Sequence, residues 1–286
     1  MYLDSHTHLN SPQLFKDYKI YIENFIKIWW KKLVNVWVDF PRTERALKIE
    51  ENYPEICLST WWFHPTEPIF KYVENNKYKF TESKLVSWKE YLDLTEKYLT
   101  NLAENKKIVA IWECGIDYHY FNNLKDGQTK EEVVKQQEEL FILQLNIAKK
   151  YNLPVVIHSR DAYYKTAQIL ENYKDLKIYF HCWWYTEKEV LHAQNNFPNL
   201  WIWYDGNITY KKAEDLRNSI KATDKDKILL ETDAPYLTPQ IVRNKMNQPA
   251  NVKYIYEYVA NLLNIEEKIL KKQIENNFIS YFVSPI

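Results

Sequence analysis

The chain has 286 residues, 38 of them basic and 38 acidic, for a formal charge of zero, and 46% are hydrophobic. This balance excludes a protein that coats nucleic acid through a general basic excess, while leaving open a local grip on a few phosphates. The apolar share supports a large core, and the length suits a single domain spanning 1–286.

In chain order, a short apolar run predicts a strand at Tyr2–Asp4, followed by a second at Leu33–Val38 and a helix over Glu44–Tyr53. A third strand at Ile56–Thr60 leads into the polar stretch Tyr72–Ser87, read as an insertion or long loop. A helix over Tyr91–Asn105, a strand at Ile108–Ile111 and a helix over Glu131–Tyr151 come next. Strands at Pro154–Ile157, Ile178–Phe180 and Leu200–Tyr204, a helix over Lys211–Thr223 and a strand at Ile228–Leu230 complete the pattern. Two more helical stretches, Val252–Leu263 and Glu266–Tyr281, close the chain. Strands alternating with amphipathic helices predict a parallel sheet with crossover helices. Eight such strands fit a closed α/β barrel, the (β/α)8 TIM barrel.

Cys57, Cys114 and Cys182 are odd in number and unpaired in spacing, which reads as reduced thiols in a cytoplasmic protein. Asp4, His6 and His8 interrupt what would be the core of a signal peptide. No run of about 18 apolar residues suggests a membrane span. No obligate protein partner is evident.

Four of the seven histidines stand at predicted strand ends. The first strand runs into His6-Thr7-His8, where an i, i+2 pair on extended backbone points both imidazoles to one side. The fifth and sixth strands end at His158 and His181. The fourth leads to Glu113, and the eighth to Glu231-Thr232-Asp233, a pair of acids that would also suit a helix cap. Taken singly, each is as well explained as a buried or capping polar residue. In a barrel, however, strand C-termini converge on the face that carries active sites. His6, His8, Glu113, His158, His181 and Asp233 would be costly to bury there without a cation. Four imidazoles and two carboxylates suit two divalent ions.

The segments Asp4-Ser5-His6-Thr7-His8-Leu9, Phe63-His64-Pro65, Glu113-Cys114-Gly115-Ile116-Asp117-Tyr118, Pro154 through Ala162, His181-Cys182 and Leu230 through Leu237 resemble the TatD family of metal-dependent deoxyribonucleases. Asn247-Gln248-Pro249-Ala250 is similar to a late element of that family, with Gln where Glu is usual. The resemblance implies metal ligation at the same six positions. It further implies hydrolysis of phosphodiester bonds in DNA by an exonuclease, with single strands or 3′ ends as substrate. The metals would be zinc, manganese, magnesium or iron, histidine favouring all but magnesium. Glu113 would bridge the two metals that activate a water, with Asp233 orienting it and taking its proton. His64 would hydrogen-bond a substrate phosphate. Arg160 would clamp one, or else pair with Asp161 or Glu231. His119, beside Tyr118, is assigned no role, and His192 is expected on the surface of a helix. A small-molecule amidohydrolase or esterase, a D-aminoacyl-tRNA hydrolase and a non-catalytic barrel remain alternatives.

One departure runs through the chain. It has 3 glycines and 11 tryptophans, against roughly 20 glycines for average usage at this length. Trp37, Trp62, Trp112 and Trp203 stand where the family pattern has glycine. An indole in such places overpacks. A UGA codon read as glycine in the source but written as tryptophan would produce this pattern.

Overall fold

A computed structural model describes residues 1–36, 40–81, 83–105 and 108–282. The strands are β1 (Tyr2–Thr7), β2 (Trp30–Val36), β3 (Cys57–Trp62), β4 (Tyr72–Glu74), β5 (Lys77–Lys79), β6 (Leu85–Ser87), β7 (Ile111–Asp117), β8 (Val155–Arg160), β9 (Ile178–Phe180), β10 (Leu200–Tyr204) and β11 (Ile228–Leu230). The helices are α1 (Tyr18–Lys27), α2 (Phe40–Asn52), α3 (Glu67–Phe70), α4 (Trp88–Glu104), α5 (Lys130–Tyr151), α6 (Tyr163–Leu170), α7 (Glu187–Asn196), α8 (Glu214–Ala222), α9 (Val252–Leu262) and α10 (Glu267–Phe282). Eight strands follow the order β1-β2-β3-β7-β8-β9-β10-β11. The pairings β1–β2, β2–β3, β3–β7, β7–β8 and β10–β11 are all parallel. This is the (β/α)8 arrangement that the alternating pattern predicts.

The chain groups into two compact units, one of residues 1–60 with 179–286 and one of residues 61–178. In the first, β1 is buried along its whole length although it carries Asp4, Ser5, His6 and Thr7. Burying such a strand is costly, and hydrogen bonds at Asp4 and Ser5 offset part of that cost. Asp4 accepts from the Thr232 hydroxyl (2.6 Å) and the Thr232 backbone N–H (2.9 Å), and Ser5 donates to the Leu230 carbonyl (3.1 Å). The strand is also tied to the segment after β11: His8 N–H donates to Ala234 O (2.7 Å) and Asp233 N–H to His6 O (2.9 Å). These bonds fix where His6, His8 and Asp233 stand.

In the second unit, α5 is anchored at its start by Thr129, whose hydroxyl accepts from the Glu132 N–H (3.2 Å). Its buried Gln137 brackets Asp117 of β7, accepting from the Asp117 N–H and donating to the Asp117 carbonyl, both at 2.9 Å. Gly115 is required between Glu113 and Asp117. It has φ +147, and a Cβ there would lie 1.9 Å from the His158 carbonyl oxygen. The close approach of β7 to β8 beside His158 depends on that missing side chain.

Several expectations are corrected. Of the two readings of residues 72–87, an insertion or a long loop, the loop is corrected: β4, β5 and β6 form a separate three-stranded antiparallel sheet. The fourth predicted strand begins later, at Ile111, so Glu113 lies within β7 rather than past its end. Helices α1, α6 and α7 were not expected at those positions. Residues 37–38 of the second predicted strand, including Trp37, lie outside the described residues. No helix among the described residues is long and apolar enough to cross a membrane.

Candidate metal centre

In the first unit, the extended backbone of β1 turns His6 and His8 to one side, as the i, i+2 spacing requires. Their Nε2 atoms stand 3.0 Å apart. Asp233 Oδ1 lies 3.2 Å from His8 Nε2 and 3.6 Å from His6 Nε2. Asp233 reaches this place from a left-handed backbone, φ +51. Burial alone would push its carboxyl up, but the hydrogen bond from His8 and the charges of His6 and His8 outweigh it and hold the group below its ordinary value.

The far sides of these rings are also engaged. His8 Nδ1 lies 3.1 Å from the Val36 carbonyl, which can only accept. Glu231, fully buried, places Oε1 3.0 Å from His181 Nδ1 and Oε2 3.4 Å from His6 Nδ1. The same Oε1 accepts from the Cys182 backbone N–H (2.8 Å). With a cation bound, a proton on Nδ1 of His8 and His181, each facing an acceptor, would leave their Nε2 lone pairs for it. His6, His181 and Glu231 offer ligand atoms within 4.8 Å of one another. Imidazole nitrogens with a carboxylate make the donor set of a zinc-, manganese- or iron-type site. The residues present fit such an ion.

In the second unit, Glu113, Gly115 and Asp117 alternate onto one face of β7, and His158 and Arg160 onto one face of β8. Glu113 is buried, with Oε2 3.4 Å from His158 Nδ1 and 3.9 Å from His64 Nε2. Asp117 Oδ2 takes both His158 Nε2 and Arg160 Nη2 at 2.9 Å. Burial would lower the His158 imidazole, but the hydrogen bonds to Asp117 and Glu113 raise it to about 9. The cluster thus draws positive charge between its two carboxylates. His64 is held well below its ordinary value by burial and then by repulsion from His158, and its Nδ1 engages Thr66. It is neutral at pH 7. His64, Asp117 and His158 also bring ligand atoms within 4.8 Å of one another. The guanidinium on Asp117 makes that trio a hydrogen-bonded support rather than a seat for another cation.

The structure therefore brings His6, His8, His181 and Asp233 together in one unit, and His64, Glu113, His158 and Arg160 together in the other. Neither Asp161 nor Glu231 is the partner of Arg160. Asp117 holds it, and Tyr120 lies under it with the guanidinium carbon 4.5 Å from the ring centroid. His119 faces the exposed Asp161 at 3.5 Å, and His192 lies on α7. Glu231 and Asp117 were missed as site residues. Their only signal was an acid two positions before Asp233 and another four after Glu113.

A family model described as TatD related DNase matches residues 3–283. Over 267 residues the chain is 32% identical to YabD of Bacillus subtilis, an uncharacterised metal-dependent hydrolase, covering 92% of this chain and 91% of that one. It is 28% identical over 243 residues to the 3′-5′ ssDNA/RNA exonuclease TatD of Pantoea ananatis, covering 82% and 81%. The crystal structure of YjjV, a TatD homologue from Escherichia coli K12, superposes with a TM-score of 0.81 at 21% identity, over 99% of this chain and 98% of that one.

Proposed function

Because the chain belongs to the family of TatD-related DNases, and is with them a metal-dependent hydrolase, we propose that it hydrolyses phosphodiester bonds of DNA as an exonuclease. In this reading 1–286 acts as one domain, and His6, His8, Glu113, His158, His181 and Asp233 hold two divalent ions. The carrying observation is the buried cluster of His6, His8, His181 and Asp233, with an acceptor behind His8 at Val36 O and behind His181 at Glu231 Oε1. Such arrangements orient ligands for a metal.

Bound divalent ions supply Lewis-acid charge and bring the pKa of water toward neutrality. The side chains do the rest. Asp233, held ionised, orients the attacking water and takes its proton. Arg160, pinned by Asp117 and seated over Tyr120, presents a planar fork to a phosphate. His64, neutral, hydrogen-bonds a phosphate oxygen through Nε2. The name of the Pantoea relative supports single strands and 3′ ends as the substrate. The free thiols of Cys57, Cys114 and Cys182, the first two buried, support a cytoplasmic setting.

The test is digestion of a single-stranded oligodeoxynucleotide labelled at its 5′ end, by protein stripped with chelator and reloaded with zinc, manganese, magnesium or iron. Stepwise shortening from the 3′ end that EDTA abolishes is expected. Intact oligonucleotide with every ion would overturn the reading.

A further inference from the structure

Two loops of the first unit carry cations and aromatic rings that the metal chemistry leaves unused. One follows β10, from Asp205 to Lys212; the other follows β11, from Pro235 to Met246. They pack on each other. Gln240 donates its backbone N–H to Thr209 Oγ1 (2.7 Å), and a Cβ on Gly206 would lie 2.0 Å from the Leu237 carbonyl oxygen. The Arg243 guanidinium carbon lies 4.2 Å from the Tyr210 ring centroid, next in sequence to Lys211 and Lys212. Lys211, Lys212, Arg243 and Lys245 are all exposed. Among the described residues, no carboxylate lies within ion-pair distance of any of them. The adjacent Glu214 is engaged by Arg217 at 2.9 Å, leaving Asp215 as the other exposed acid of that segment. Like charges gathered without ion-pair partners repel one another, so they contribute little to the fold and mark a surface for a polyanion.

Tyr236 connects these loops to the histidine cluster. Its ring stands 6.0 Å from that of His8, near perpendicular, and is 50% exposed. Its backbone is fixed on both sides: the N–H donates to Asp233 O (2.8 Å), and the carbonyl accepts from Asn247 Nδ2 (2.6 Å). A held, half-exposed phenol beside a metal ligand offers a face for stacking.

We propose that these two loops form the binding rim for a single-stranded polynucleotide. Lys211, Lys212, Arg243 and Lys245 track successive phosphates, and Tyr236 stacks on a base near the bond to be cut. The proposal rests on the phosphodiester reading above and assigns the residues that hold its single-stranded substrate. A duplex keeps its base faces stacked inside, whereas a single strand offers them to an aromatic ring while its backbone follows a basic track. A small diester, with one phosphate, would leave most of the cations idle.

The test uses the metal-loaded protein and a fluorescein-labelled, phosphorothioate-linked single-stranded oligodeoxynucleotide, with binding read by anisotropy across a salt series. In K211Q/R243Q/K245Q the slope of log affinity against log salt should flatten by about 2, at about 0.7 for each lost phosphate contact, with affinity at low salt down roughly tenfold or more. Tyr236→Leu should weaken binding roughly fivefold or more, and Tyr236→Phe should restore it. In digestion of the unmodified oligonucleotide these losses should fall on KM rather than kcat. An unchanged salt slope in the triple variant, or a duplex bound as tightly as the single strand, overturns the rim. So does wild-type protein that hydrolyses bis(4-nitrophenyl) phosphate without binding the oligonucleotide, a result that leaves the phosphodiester reading standing. Failure on both substrates removes that reading as well.

Discussion

His181 Nδ1 stands 3.0 Å from Glu231 Oε1, while the other oxygen of the same buried carboxylate lies 3.4 Å from His6 Nδ1. One carboxylate thus faces the Nδ1 of two imidazoles far apart in the chain. Glu231→Gln has the same shape but offers one acceptor and one NH2 group. The amide must turn its nitrogen toward one histidine, driving that ring's proton to Nε2 and removing a lone pair from the site. Divalent-ion affinity should fall by about 10–100-fold with the fold intact. Chelator competition reads the affinity, and histidine ¹⁵N shifts of the metal-free protein read the tautomers. Wild-type values for both would show that Glu231 does not orient these rings.

Asp233→Asn tests the proposed base. The backbone bond from residue 233 to His6 O survives the change, so thermal unfolding should be close to that of the wild type. Turnover of the oligonucleotide should fall by about 10²–10⁴-fold, the usual worth of a positioned proton acceptor. Near wild-type turnover would take Asp233 out of that role.

The tryptophan-for-glycine pattern has a structural counterpart. The rings of Trp203 and Tyr179 have centroids 3.2 Å apart, well inside the roughly 4.5–7 Å that aromatic pairs prefer. Trp29 follows α1 with φ +66 and is 81% exposed, at the position after a helix that glycine ordinarily fills. Trp112 is fully buried. The side chain of Trp62, like all of Trp37, lies outside what is described. Trp203→Gly should relieve about 1–3 kcal/mol of overpacking, and Trp29→Gly about 1–2 kcal/mol of left-handed strain. Both should raise the melting temperature, and a fall in either variant would contradict this account. The gene gives an independent check, since UGG codons at 29 and 203 would end the reassigned-codon explanation.

The thiols should be inert. Burial, and then the nearby Glu50, pushes Cys57 up to about 12, and burial likewise raises Cys114 and Cys182. All three are protonated at pH 8, so native protein should resist iodoacetamide while denatured protein takes three labels. Labelling of Cys57 or Cys114 in the native state would contradict their burial.

Much of this is legible in the amino-acid sequence. The pairing of His6 with His8 follows from the two-residue period of a strand, and the strand-helix alternation fixed the fold class. What escaped depended on distance along the chain or on brevity. Glu231 reads locally as a capping acid, and its work is visible only when His6 and His181, from other strands, stand against it. Asp117 holds Arg160 and His158 across β7 and β8, a pairing no local pattern announces. Strands β4, β5 and β6 are three residues each, too short to show a period. Their turn was nonetheless signalled: Asn75-Asn76, both left-handed at φ 52 and 57, is the kind of pair that tight hairpins select.

The most direct test of the central claim is metal content by mass spectrometry after dialysis, on wild type, on His6→Ala/His8→Ala and on His158→Ala. The account predicts two divalent ions per chain in the wild type and a loss in each variant. Wild-type protein that retains no ion, or variants that hold as much metal as the wild type, would contradict it.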